Sequence, residues 1–198
     1  MPAKEQMIVT GVEMFRREGY RACSWRKLVE ASGAPWGSAR HYFPGGKEQL
    51  GVAVLEHATQ LGLNWIDRHF SGDATAGEAL TGLLRDAAAH LQRDNYEAGC
   101  PVAIVTLERG SHSAELTAAC AAAFSRWRTR IGQALQARGI AAEPADATAL
   151  LTLVSFEGCL VVARATGNDQ AFQLAQAPLL ASLGQHVDAR PHHSPTAD

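Results

Sequence analysis

Apolar residues recur along this chain at helical spacing, and few runs alternate with the period of two that marks a strand. Ile8, Val12 and Phe15 fall at i, i+4 and i+7, which predicts a helix from about Lys4 to Glu18, stopped by Gly19. Trp25, Leu28 and Val29 make the apolar face of a short second helix that Ser24 can cap and Gly33 can end. Pro35 suits the first position of a third helix, running to His41 or Tyr42, because a missing N–H costs nothing there. Only a three- or four-residue turn fits between the two. That is a helix-turn-helix plan, in which the second helix enters a DNA major groove, although an ordinary helical hairpin has the same spacing.

Longer helices follow. Leu50, Val54, Leu61 and Trp65 stripe a rod from Lys47 to about His69, broken by Ser71, Gly72 and Asp73. Leu80, Leu83, Leu84, Ala87 and Leu91 mark the next, from about Thr75 to Asp94. Pro101 opens a shorter apolar helix, and a start at Ser111 to Ser113 leads into another that ends near Ala137. From Pro144 to about Thr166 the chain is apolar nearly all round, through Leu150, Leu151, Val154, Phe156, Leu160 and Val161, so a subunit interface is expected there, with Gly158 allowing close approach. Asp169 should cap a last helix from Gln170 to about Val187, kinked or broken at Pro178. The fold class is all-α.

Charge sharpens this picture. The net formal charge is −2, yet residues 1–50 carry 8 Lys and Arg against 5 acids, and the remainder carries 10 against 15. A basic end on an acidic body suits a DNA-reading head. No apolar run is expected to reach the roughly 18–20 residues that span a bilayer, and the first residues lack the apolar core of a signal peptide. The expected place is the cytoplasm, with no membrane partner and with reduced thiols, since Cys23, Cys100, Cys120 and Cys159 have no ligand spacing. Arg126, Arg128 and Arg130 read as a solvated face paired to acids. His192 and His193 lie in a terminal stretch expected to lack order. A helical enzyme is the competing reading, but there is no Glu-x-x-His pair, His57 directly follows Glu56, and His90 and His112 have no ligand-spaced partner. Neither metal nor cofactor is expected.

Phe15, Gly19-Tyr20, Arg26-Lys27-Leu28, Ala31, Gly33, Gly37, His41-Tyr42-Phe43 and Lys47-Glu48-Gln49-Leu50 resemble, in order and spacing, the DNA-binding domain of the TetR/AcrR family of bacterial repressors. The Gly33-Ala34-Pro35 turn, the extra glycine in Phe43-Pro44-Gly45-Gly46-Lys47, and Gly99-Cys100-Pro101-Val102-Ala103 with Leu107-Glu108 are similar to its LmrA/YxaF-like branch. Departures are Ala34-Pro35 in place of Val-Ser and Arg40 in place of a tyrosine. The resemblance implies a head over 1–46, a ligand-binding and dimerisation body over 47–190, and a tail over 191–198. It implies a homodimer that binds double-stranded operator DNA and leaves it when a small-molecule inducer binds, against a ligand-independent DNA-binding dimer as the alternative. Arg26, Trp36, Gly37 and Arg40 are then candidates for bases, and Ser24, Ser38, His41, Tyr42 and Lys47 for phosphates. Candidate pocket walls are Trp65, Cys100, Ile104, Leu107, Phe124, Trp127, Phe156 and Leu160. The inducer is expected to be apolar or partly aromatic, since no buried cluster of charge is readable.

Overall fold

The computed structural model describes residues 1–109 and 113–184, and among these residues the regular structure is entirely helical. The elements are α1 (Ala3–Glu18), α2 (Trp25–Ser32), α3 (Trp36–Tyr42), α4 (Gly46–His69), α5 (Ala76–Arg93), α6 (Pro101–Arg109), α7 (Ala114–Gln136), α8 (Ala142–Thr166) and α9 (Gln170–Gly184). The expected helix start at Ser111 and His112, the end near Val187, and the 191–198 tail lie outside the described residues.

Local chemistry sets most of the ends. The Ser24 hydroxyl accepts from the Lys27 N–H at 3.1 Å, and Gly33 ends α2 with φ 66°, in the left-handed region a side chain disfavours. Thr75 and Glu78 form a reciprocal capping box at the start of α5. The Ser113 hydroxyl accepts from the Leu116 N–H and donates to Glu48, so the start of α7 is tied to the start of α4. Three expectations shift. Pro35 caps α3 from outside it, with φ −59° and ψ 137°. Pro144 sits in the first turn of α8, where its missing N–H needs no partner, and does not open it. At α9 the side chain that accepts the Gln170 N–H belongs to Asn168, while Asp169 accepts from Gln173; the helix passes through Pro178 without a break.

One continuous apolar core runs through α1 to α4 and on into α7, through Phe15, Leu28, Val29, Phe43, Leu50, Val54, Leu55 and Trp127. A smaller one joins α5, α8 and α9 through Leu84, Leu91, Cys159, Ala163, Phe172 and Leu179. Close packing depends on small residues. A Cβ on Gly62 would fall 2.5 Å from the Trp127 indole nitrogen, and that indole donates to the Thr59 carbonyl of α4 at 2.9 Å. Arg126, Arg128 and Arg130 pair with Glu56, Asp146 and Asp67.

The apolar character of α8 divides three ways. Ala145, Ala149 and Thr152 are buried, and so is Cys159. Phe156, Glu157 and Leu160 face a cavity. Leu150, Val154, Gly158 and Val161 follow one outer stripe, with Val154 61% and Val161 59% exposed. By length and composition alone this helix is long and apolar enough to cross a membrane, contrary to the expectation from the sequence. Two of its three faces are engaged within the fold, so the unpartnered outer stripe is what remains to be covered.

Candidate DNA-binding head and internal cavity

Helices α1 to α3 form the head. Ala39 and Phe43 are buried and pin α3 against it, which leaves the polar side of α3 outward. All nine expected DNA residues are exposed or half-exposed: Ser24, Arg26, Trp36, Gly37, Arg40 and His41 open to solvent, and Ser38, Tyr42 and Lys47 partly so. Arg26 is held by Glu30 at 2.7 Å. The Lys47 ammonium lies 4.1 Å from the centre of the Tyr20 ring, which fixes where the amino end of α4 meets the head. The Cys23 thiol is buried behind this surface, and burial pushes its pKa up to about 11, so it is not a reactive thiolate.

A cavity of about 480 Å³ lies in the body. Its walls come from α4 (Ala58, Trp65), α5 (Leu83, Ala87, His90), the start of α6 (Cys100, Pro101), α7 (Trp127, Ile131) and α8 (Thr152, Phe156, Glu157, Leu160). Helix α1 of the head also reaches it, through Val12 and Arg16. Five of the expected wall residues border it: Trp65, Cys100, Trp127, Phe156 and Leu160. Three do not. Leu107 is 83% exposed, because α6 turns Val102 and Val105 inward instead. Ile104 packs beside Gly99. Phe124 lies one turn along α7 from Trp127, beside Leu150 and Leu153. Helices α4, α5, α7 and α8 supply most of the wall, α1 joins it, and α6 contributes only its first turn.

Of the three charged residues that line the cavity, Arg68 is exposed, while Arg16 and Glu157 are partly buried and escaped the sequence reading. Arg16 donates to Asp94 at 2.7 Å and to the His90 ring at 3.0 Å. An arginine only donates, so His90 accepts there as the neutral ring, consistent with a pKa lowered by burial and then by Arg16. Glu157 is the other. Its Oε2 is fully enclosed, with no hydrogen-bond partner among the described residues, and burial raises its pKa to about 7. The Cys100 thiol is within bonding reach of this carboxyl, and burial, then Glu157, push that thiol well above its usual range. The signal was present: Glu157 is the sole charged residue between Asp146 and Arg164, and a charge set in a wholly apolar helix is seldom simply solvated.

Head and cavity meet at the end of α1. The Gly99 N–H donates to the Arg16 carbonyl at 2.7 Å, Arg164 donates to the Arg17 carbonyl at 2.9 Å, and the Glu108 carboxylate accepts from the Arg21 N–H at 2.9 Å.

A helix-turn-helix head packed without a break onto a hollow helical body is the build of a transcriptional regulator. A family model described as "Transcriptional regulator LmrA/YxaF-like, C-terminal domain" matches residues 76–177. An uncharacterized HTH-type transcriptional regulator of Mycobacterium tuberculosis is 33% identical over 167 residues, covering 81% of this chain and 84% of that protein. The HTH-type transcriptional regulator LmrA of Bacillus subtilis is 22% identical, covering 84% and 88%. The crystal structure of a regulatory protein TetR from Rhodobacter sphaeroides superposes with a TM-score of 0.81 at 24% identity, covering 93% of this chain and 98% of that one. The chain belongs to the TetR family of transcriptional regulators, in its LmrA/YxaF-like branch, and its relatives are regulators, not enzymes.

Proposed function

We propose that this protein is a cytoplasmic repressor that holds a palindromic operator as a homodimer and releases it when a small apolar or aromatic molecule enters the cavity. The observation that carries the reading is the shared wall: Val12 and Arg16 belong to α1 of the head and also line the cavity, so an occupant touches the DNA-binding unit itself. The division we adopt is a head over 1–46 and a ligand-binding and dimerisation body over 47–190. In the dimer, the outer stripes of α8 and α9 from two copies pack as four helices, and the two copies of α3 face major grooves about 34–36 Å apart or somewhat more.

Within the head, Arg26, Trp36, Gly37 and Arg40 take the bases. Ser24, Ser38, His41, Tyr42 and Lys47 take phosphates, and Arg26 gives up Glu30 to reach DNA. Arg40 is exposed at the last turn of α3, with no ion-pair partner among the described residues, so it meets DNA without breaking a bond. The test is selection of bound DNA from a random pool, followed by titrations of the selected site. Arg40→Ala should cost about 1–3 kcal/mol at one base position only. Lys47→Ala should weaken all sequences alike and lower the salt slope by about one unit. An Arg40→Ala protein with unchanged affinity and base preference would remove Arg40 from the reading surface.

A further inference from the structure

We propose that Glu157 makes the cavity a receptor for a lipophilic cation, an aromatic or alicyclic body carrying one protonated amine. This rests on the cavity being the inducer site, and it names the inducer's chemistry beyond its apolar character. The walls supply the apolar part, with Trp65, Trp127 and Phe156 offering ring faces that attract a cation as well as an apolar body. Against them stands one carboxyl whose Oε2 is enclosed and without a partner. An enclosed carboxylate oxygen with no donor is costly, and a ligand that brings a charged donor recovers that cost on binding.

The charged neighbours do not compete for it. Arg16, from α1, is engaged by Asp94, Glu13 and His90. His90, from α5, is neutral while it accepts from Arg16. Arg68, from α4, is exposed and stacks over the Trp65 ring at 5.8 Å. From the start of α6 only the Cys100 thiol reaches Glu157, and a thiol is a weak donor. A second enclosed polar atom in the same wall, the Trp65 indole N–H, also has no partner among the described residues.

The proton balance follows. Below pH 7 most copies carry a proton on Glu157, whose pKa is about 7. A bound ammonium favours the carboxylate, so binding at pH 6 expels that proton to solvent. Affinity for the cation should therefore rise as pH passes through 7 and level off above it, whereas a neutral ligand of the same shape should gain nothing.

The test uses the full-length protein and two probes of one shape: anthracenylmethylamine, protonated at neutral pH, and its neutral counterpart anthracenylmethanol. Binding is read by quenching of the cavity tryptophans. The amine should bind roughly 10- to 100-fold more tightly than the alcohol. That preference should vanish in Glu157→Gln, a neutral side chain of nearly the same size. In the native protein it should grow with pH, and calorimetry in buffers of different ionisation enthalpy should detect the released proton at pH 6. Equal binding of the two probes, or a preference that survives in Glu157→Gln, overturns the assignment. If both probes bind alike and both weaken the operator complex, the cation reading falls and the ligand-released repressor stands. If the amine is preferred through Glu157 yet leaves the operator complex untouched, the site stands and the switch falls. If neither probe binds the folded protein, the cation assignment falls.

Discussion

A protein carrying Val154→Glu and Val161→Glu should sediment as a monomer at concentrations where the native protein should be a dimer, and its operator affinity should collapse. Both side chains are well exposed in the single chain, so the substitutions leave the fold of one copy alone; a native circular dichroism melt is the control. They share a stripe with Leu150 and Gly158, and no atom lies within 4 Å of where a Gly158 Cβ would stand. On α9, Leu174 is 67% exposed. Burying such a stripe contributes about 25 cal/mol per Å² of apolar surface, and left wet it invites aggregation. Each glutamate would be buried unpaired in a dry interface, where such a charge costs several kcal/mol after relaxation. A monomer binds half an operator and forfeits the effective concentration of its partner, a loss of roughly 10²–10⁴-fold. A doubly substituted protein that still sediments as a dimer and binds DNA normally would place the interface elsewhere.

The head was legible because its signals are local. Ser24, Gly33 and the buried Leu28 and Val29 act within a few residues of one another, and periodicity and capping see that far. Pro35 shifted by a single position because a proline serves both as a cap and as a first residue. The cavity was only partly legible, since a wall is defined by what other helices leave uncovered. Trp65 and Trp127 look like core on a helical wheel, and the structure brings both to the cavity. Leu107 looks the same, yet its short helix has only one face to bury and Val102 and Val105 occupy it. Arg16 and Glu157 were passed over because a charge on a helix usually meets water. Only the tertiary packing of α1, α5, α6 and α8 denies it to them. The pairing of Arg16 with Asp94 joins residues 78 apart in sequence, beyond the reach of any local pattern.

Asp94→Asn should uncouple ligand from DNA while leaving each free to bind. Two routes join cavity to head. One is the rod α4, which carries Trp65 at the cavity and Lys47 at the head. The other runs through α1: Asp94, at the end of α5, accepts from Arg16 at 2.7 Å and from Arg17 at 3.2 Å, and the Gly99 N–H holds the Arg16 carbonyl. Asp94 does not line the cavity and is remote in sequence from the reading surface, so its replacement changes neither binding site directly. A ligand shifts the DNA-binding equilibrium only by its differential affinity for the two states. If the α1 route conveys that difference, a typical coupling of about 1–3 kcal/mol should fall toward zero in Asp94→Asn. The measurement is reciprocal: the factor by which the inducer weakens operator binding must equal the factor by which the operator weakens inducer binding, the latter read from cavity tryptophan fluorescence. Asparagine keeps the size of the side chain and removes the charge that draws in both arginines, so α1 is loosened without opening a void. Full coupling in Asp94→Asn would assign the signal to α4, the rod that carries Trp65 at the cavity and Lys47 at its other end. Coupling lost together with inducer affinity would instead mean that the Arg16 guanidinium, freed from Asp94, had moved into the cavity, which the native affinity of an Asp94→Asn protein carrying Arg16→Met would reveal.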